Sequence, residues 1–268
     1  MRVHIPDFNL KLTANSGQSF RFYEVDQHHF EIIAFRRRLA INDLGADMFD
    51  FDCSPNEFEQ IWQSYFDLQR DYTKLEGMIP HPDSYIAKAY SYAKGLRILR
   101  QEAFETVIAF IISQRKSIPA IKGCMAQLAA RFGDPIDDKT FAFPTPAQLA
   151  AADEAGLAAC GLGYRVKYVK GTAKMIADGI VDESAIGALA DEQLEEELLK
   201  LPGIGRKVAA CIMLFAYQRM DSFPIDVWIQ RVFEAEFQDG FPFEQFQGVS
   251  GIIQQYLFCY ARHQAGRG

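Results

Sequence analysis

Two residues of this chain have the types and spacing for covalent chemistry: Lys207 and, nineteen positions later, Asp226. Lys207 closes the run Leu201-Pro202-Gly203-Ile204-Gly205-Arg206-Lys207, which reads as the end of one helix, a tight hairpin and the first turn of the next. A helix N-terminus presents unpaired N–H groups and the positive end of a dipole, so it binds anions such as phosphate. Gly203 and Gly205 allow positive φ and a close approach of the backbone to such a group. The same positive field disfavours an ammonium and favours the neutral, nucleophilic amine. Asp226 stands where the N-cap of a further helix belongs. A carboxylate there can also stabilise a cationic sugar transition state, or assist proton transfer at the lysine. Each feature has an ordinary explanation as a turn, a solvated lysine or a cap. Together they predict a phosphate grip beside an activated amine, as covalent chemistry on a nucleic-acid sugar requires.

The elements that must position this pair follow from the hydrophobic pattern. Residues 1 to about 52 are β-rich, with strands expected over 8–12, 19–23, 30–35, 38–42 and 48–51, separated by polar breaks. At Ser54-Pro55-Asn56-Glu57 the pattern turns helical, with a cap, a first-turn proline and an acid at the capping-box position. Further helices are expected near 82–94, 102–115, 118–132, 146–159, 165–179, 191–200, 206–219, 226–236 and 249–262. The fold class is therefore α+β, an antiparallel sheet followed by an all-helical region. We expect an N-terminal β domain with flanking helices over 1–80 and a helical domain over 81–268, the latter holding a helix–hairpin–helix at about 191–219.

Composition narrows the function classes. The 268 residues suffice for one large or two smaller domains, and no apolar run approaches the ~18–20 residues of a membrane span. The start, Met1-Arg2-Val3-His4-Ile5-Pro6-Asp7, has no signal-peptide core, so export is not expected. Five scattered cysteines without a C-x-x-C pair give no spacing for a structural zinc or iron–sulfur cluster and read as reduced thiols. A net charge of −7 argues against affinity based on bulk neutralisation of phosphates. The charge is segregated, however. Acids bunch at 191–197, while basic residues gather at Arg115-Lys116, Arg165-Val166-Lys167 and Arg206-Lys207. Arg36-Arg37-Arg38 reads as a solvated strand end or turn.

The hairpin run with Val208-Ala209, taken together with Phe223-Pro224-Ile225-Asp226-Val227, resembles the signature of the helix–hairpin–helix DNA glycosylase superfamily. That family sets a Gly/Pro-rich hairpin on DNA phosphates and uses an aspartate at the position of Asp226. Lysine at the position of Lys207 marks its bifunctional members. Ser16-Gly17-Gln18-Ser19-Phe20-Arg21, Gly95-Leu96-Arg97-Ile98-Leu99-Arg100-Gln101, Gly161-Leu162-Gly163-Tyr164-Arg165 and Gly251-Ile252-Ile253-Gln254-Gln255-Tyr256-Leu257-Phe258 are similar to segments of its 8-oxoguanine glycosylases with an N-terminal β domain. The resemblance runs from about residue 8 to 262.

It implies a base pocket in which the Gly17 carbonyl accepts the N7–H that distinguishes 8-oxoguanine from guanine. Gln254 offers an amide to the purine's Watson–Crick edge, and Phe258 and Cys211 sandwich the flipped base. Tyr164 and Arg165 fill the gap and contact the orphaned partner base. Gly203, Gly205 and Arg115 join them as DNA-binding residues, and the hairpin is a candidate site for a monovalent cation, with no other cofactor required and no metal among the site residues. Taken singly, Phe258 and Cys211 read as core residues and Gln254 as a surface or capping residue. Three positions depart from the pattern: Arg115 stands where the family often has asparagine, Ala120 where it has an arginine reading the orphaned cytosine, and Trp228 where it has histidine. They loosen the expectation of a strict preference for cytosine opposite the lesion.

The resemblance thus implies a glycosylase and abasic-site lyase of base-excision repair, a monomer in the cytoplasm (nucleoid-associated in a bacterium) acting on double-stranded DNA that holds a damaged base. Two alternatives share the scaffold. A 3-methyladenine-type alkylbase glycosylase would favour an electron-rich aromatic cleft and normally lack Lys207. A non-catalytic helix–hairpin–helix DNA-binding protein would use the hairpin as a clamp only.

Overall fold

The structure is a computed structural model that describes residues 1–79 and 81–266. The expected domain limits at 80 and 268 fall outside the described residues. Five antiparallel strands, β1 (Arg2–His4), β2 (Phe22–Glu24), β3 (His29–Ala34), β4 (Arg37–Gly45) and β5 (Met48–Phe51), form one sheet in the order β1-β5-β4-β3-β2. The β3–β4 and β4–β5 connections are two-residue turns. Phe35-Arg36 and Ala46-Asp47 all adopt left-handed φ, between 49° and 59°, which matches the right-handed twist of the flanking strands. The arginine run lies at the first of these turns: Arg36 pairs with Asp134 at 2.8 Å and Arg38 with Glu31 at 2.6 Å.

The strand expected over 8–12 is instead helix α1 (Leu10–Asn15). Asn9 caps it by accepting from the Leu12 N–H at 2.9 Å, and Leu10, Thr13 and Ala14 are buried at helical spacing. The strand expected over 19–23 forms only from Phe22. Strand β1 was not expected; three residues carry too little pattern, and its pairing with β5 is long-range. The helix opened by Ser54-Pro55 runs through α2 (Pro55–Glu57), a π turn over Phe58–Trp62 and α3 (Gln63–Tyr65). Ser54 accepts from the Glu57 N–H, as a cap should.

The helical region comprises α4 (Tyr85–Ala93), α5 (Ala103–Ser113), α6 (Ile118–Phe132), α7 (Pro146–Ala151), α8 (Glu154–Ala159), α9 (Val166–Ala177), α10 (Glu183–Ile186), α11 (Asp191–Leu199), α12 (Arg206–Phe215), α13 (Val227–Glu236) and α14 (Ser250–Gln264). The single helix expected over 146–159 is broken because Asp153 caps a second one, its carboxylate accepting from the Gly156 N–H at 2.6 Å. Helix α12 ends at Phe215, short of the expected 219.

Two cores result. One is aromatic, with Phe8, Phe22, Phe30, Phe51, Trp62 and Phe66 buried between the sheet and the α2–α3 helix. The other is mainly aliphatic and fills the helical region. They exchange residues: Phe20 enters the helical core, and Leu99 enters the sheet core. Buried Arg97 reinforces the seam, donating to the carbonyls of Pro6, Asp7 and Arg70 and stacking on Tyr72 at 4.3 Å. The segment 16–21 crosses this seam, so its placement depends on both cores.

Candidate active site

A cavity of about 980 Å³ opens where the N-termini of α12 and α13, helix α14, the loop at Gly17 and the α5–α6 loop converge. Lys207, Asp226, Gly17, Cys211, Gln254, Phe258, Arg115 and Tyr164 all line it. Residues from positions 17 to 258 thus meet in one space.

The N-cap of α12 is Gly205, which has no side chain to cap the first turn. A Cβ on Gly205 would meet nothing within 4 Å, so the space above these N–H groups is open. Gly203 is glycine for a different reason. Its φ is +85°, and a Cβ would lie 2.8 Å from Tyr168. The hairpin is braced from behind by the Thr172 hydroxyl, which donates to the Pro202 carbonyl at 3.0 Å, and by the Gln114 amide, which donates to the Gly203 carbonyl at 2.9 Å.

Lys207, the second residue of α12, is exposed, with Nζ 5.6 Å from the Phe110 ring centroid. Cys211 lies one turn below. Burial pushes its thiol up, partly offset by the Lys207 cation, while Asp226 adds to the rise, so one sulfur senses both groups. Asp226 is the N-cap of α13: its Oδ1 accepts from the Trp228 and Ile229 N–H groups at 2.9 and 3.0 Å. These bonds fix the carboxylate at the cavity wall.

Gln254 is buried within α14 and donates from Nε2 to the Pro224 carbonyl at 2.9 Å. Its Oε1 is buried without a partner. An unsatisfied buried acceptor is costly. Gly17 has φ +79°, and a Cβ there would meet Ile118 at 2.9 Å and Phe258 at 3.6 Å. The backbone therefore forms the wall facing Phe258.

The structure brings Gly203 and Gly205 near the cavity only through the hairpin; neither lines it. Arg165 is a correction: expected at the DNA-facing rim, it is only 6% exposed. Its guanidinium donates to the carbonyls of Leu162, at 3.3 Å, and Gln114, and stacks on Tyr164 at 4.3 Å. Inward bonds to two carbonyls outweigh hydration of a side chain whose stem is already packed. Tyr164 remains 53% exposed at the rim. Arg115 is exposed and holds φ +53°, a conformation that asparagine adopts more readily than arginine. Trp228 also lines the cavity, with Arg231 5.4 Å from its ring.

Two bracing residues were not singled out from sequence. Gln114 links three loops, through its amide to Gly203 and its carbonyl to Arg165. Gln255 lies against the Gly17 loop. Glutamine next to a site motif carries no distinctive signal, although the helical period puts Gln255 on a buried stretch of α14. Among the described residues, no helix is long and apolar enough to cross a membrane.

The model of the 8-oxoguanine DNA glycosylase N-terminal domain matches residues 1–107, and that of the HhH-GPD superfamily of base-excision DNA repair proteins matches residues 108–238. The chain is 35% identical to MBOgg1, solved in complex with a low-affinity DNA ligand, over 98% of this chain and 96% of that one, with a TM-score of 0.92. Against the Clostridium acetobutylicum 8-oxoguanine glycosylase/lyase, solved with double-stranded DNA containing cytosine opposite 8-oxoguanine, identity is 32%, coverage 99% and 98%, and TM-score 0.90. A probable N-glycosylase/DNA lyase of Methanothermobacter thermautotrophicus is 28% identical over 98% of this chain and 96% of its own. The chain belongs to the 8-oxoguanine glycosylase/lyase family of the HhH-GPD superfamily.

Proposed function

We propose that this protein is a base-excision repair DNA glycosylase with abasic-site lyase activity, removing 8-oxoguanine from duplex DNA. The observation that carries the reading is the convergence of Lys207, Asp226, Cys211, Gln254 and Phe258 on one cavity. The hairpin and the open N-terminus of α12 hold DNA phosphates, and the target nucleotide turns out of the stack into the cavity. The Lys207 amine forms a C–N bond to C1′ of the sugar as the C1′–N9 bond breaks; the electron pair leaves with the base, which takes up the proton that the lysine nitrogen gives up. Asp226 stabilises the positive charge that develops on the sugar. Ring opening gives a Schiff base, and loss of a C2′ proton expels the 3′ phosphate, nicking the strand.

Charge in the cavity favours a neutral oxidised base over a cationic alkylated one. Its charged lining residues are Arg115, Lys116, Lys207 and Arg262 against Asp226 alone. Lys207 and Arg262 already stand over the rings of Phe110 and Phe258, at 5.6 and 5.4 Å, so these faces are poor receptors for another cation. The Gly17 carbonyl then accepts the lesion's N7–H, Gln254 Oε1 accepts from its Watson–Crick edge, and Phe258 and Cys211 flank the ring. Tyr164 and Arg115 contact DNA at the rim, while Arg165 acts through its brace on the Gln114 carbonyl.

A monovalent cation at the hairpin belongs to the same reading. The Leu201, Pro202 and Gly203 carbonyls already accept from the Ile204 N–H, Thr172 and Gln114, so an ion would share main-chain oxygens of the turn through their second lone pairs and strengthen the phosphate grip. We place the protein, as a monomer, in the compartment of chromosomal DNA: the cytoplasm, associated with the nucleoid in a bacterium. The test is a panel of duplexes carrying 8-oxoguanine opposite each of the four bases, with alkylated-base controls. Excision of 8-oxoguanine with little cytosine preference is expected. Faster release of alkylated bases would overturn the substrate.

A further inference from the structure

The pocket walls that would read the base come from opposite ends of the chain. The Gly17 loop belongs to the N-terminal region, whereas Gln254 and Phe258 project from α14. Their relative position is set by contacts between the two, and one such contact is internal to the cavity. Gln255 is 3% exposed, lines the cavity and donates from Nε2 to the Ser16 carbonyl at 3.1 Å. A second link, from Arg262 to the Asn15 carbonyl at 3.2 Å, lies at the exposed edge.

We infer that Gln255 is a positioning residue for base recognition, holding the Ser16–Gly17 peptide so that the Gly17 carbonyl keeps its register against Gln254 and Phe258. This rests on the substrate reading above. The Ser16 carbonyl and the Gly17 N–H share one planar unit, so fixing the direction of the Ser16 oxygen fixes the plane from which Gly17 φ is measured. That φ, +79°, lies in the region where glycine is free to move and little local preference restrains it. The loop's other ties act from the far side. The Ser16 hydroxyl donates to the Thr13 carbonyl at 2.8 Å, and Gln18 donates to Ser16 Oγ and the Arg97 carbonyl and accepts from the Leu99 N–H. They anchor the loop to the seam between the cores. Gln255 references it to the helix that carries the other pocket wall.

Packing limits Gly17 on one side only, toward Ile118 and Phe258, where a Cβ would lie 2.9 and 3.6 Å away; it does not set the direction of the peptide plane. A displacement of a few tenths of an ångström there would weaken the one hydrogen bond that separates 8-oxoguanine from guanine. It would leave Lys207 and the hairpin untouched, because α12 makes none of these bonds.

The test compares wild type with Gln255→Met, which keeps length and volume but cannot donate, and with Gln255→Glu, whose carboxylate repels the Ser16 carbonyl. Two single-turnover rates are measured: excision of 8-oxoguanine, and strand cleavage at a preformed abasic site, which needs Lys207 but no base pocket. Excision is expected to fall about tenfold in Gln255→Met, the loss of about one well-placed hydrogen bond, and further in Gln255→Glu. Abasic-site cleavage should stay within about twofold in both. Parallel loss of the two activities would reduce Gln255 to a folding residue and overturn the inference, as would unchanged excision. A wild-type protein inactive on 8-oxoguanine yet active at abasic sites would overturn the substrate reading itself.

Discussion

Helices α12 and α13 start at the same cavity and treat their first turns in opposite ways. At α13, Asp226 fills the turn, its carboxylate accepting two N–H groups. At α12, Gly205 leaves the turn bare, with open space where a side chain would stand. A filled N-terminus fixes a negative charge; a bare one waits for it. On the proposed function the two ends take different parts, α13 holding a carboxylate against the sugar and α12 offering N–H groups to a phosphate with Lys207 beside them.

The largest expected effect falls on the bare end. Lys207→Gln should lower abasic-site cleavage by at least about 10³-fold, the usual scale for removing a covalent nucleophile, while duplex affinity changes little; strand-nicking gels and a binding titration give both. If affinity collapses and residual nicking persists, the lysine is a clamp rather than a nucleophile.

At the filled end, Asp226→Asn separates two roles. Asparagine caps as well as aspartate, so thermal stability should hold within about 0.5 kcal/mol. Excision should nonetheless drop about 10²–10³-fold, because the charge is gone. Equal losses of stability and rate would mean that Asp226 is only a cap.

A third helix start, outside the cavity, serves as a control. Glu105 lies in the first turn of α5, facing Arg21 at 3.4 Å. Burial pushes its carboxyl up to about 7, against the pull of Arg21 and with a further push from Glu102. Its side chain keeps 17% exposure, so the desolvation is large but incomplete. The folded state therefore binds this proton more tightly than the unfolded one. That stability is fully present below the unfolded value near 4.5 and is lost as pH rises through about 7. Denaturation from pH 5 to 8 should show wild type losing on the order of 2 kcal/mol, with Glu105→Gln flatter across that range.

The smallest effect tests the vacancy at α12. Gly205→Ser supplies a cap oxygen, so stability should rise by a few tenths of a kcal/mol, while duplex affinity falls several-fold because the hydroxyl occupies the phosphate position. Gly203→Ala should instead destabilise the fold by about 1–2 kcal/mol through its positive φ, with Tyr168 in the way.

The parts of the site legible in sequence are those set by local rules. The Pro-Gly-x-Gly hairpin, the lysine in the next first turn and the aspartate cap each follow from a few adjacent residues, and the alternating strands from 30 to 51 closely match β3, β4 and β5. Local patterns misled where they were ambiguous. Phe8, Leu10 and Leu12 alternate like a strand, yet the Asn9 cap and the burial of Leu10, Thr13 and Ala14 make a helix. The basic run Arg165-Val166-Lys167 gives no sign of burial, and only the tertiary placement of the Leu162 and Gln114 carbonyls turns Arg165 inward. Gln114 and Gln255 carry no local signal for the same reason, since their partners lie 89 and 239 residues away.

The central claim is that Lys207, at the open start of α12, attacks the sugar. Borohydride reduction during reaction with an 8-oxoguanine duplex tests it directly by freezing the Schiff base. The expected result is a covalent protein–DNA adduct in wild type that peptide mapping places at Lys207 and that Lys207→Gln fails to form. No adduct in wild type, or one mapped to another amine, would contradict it.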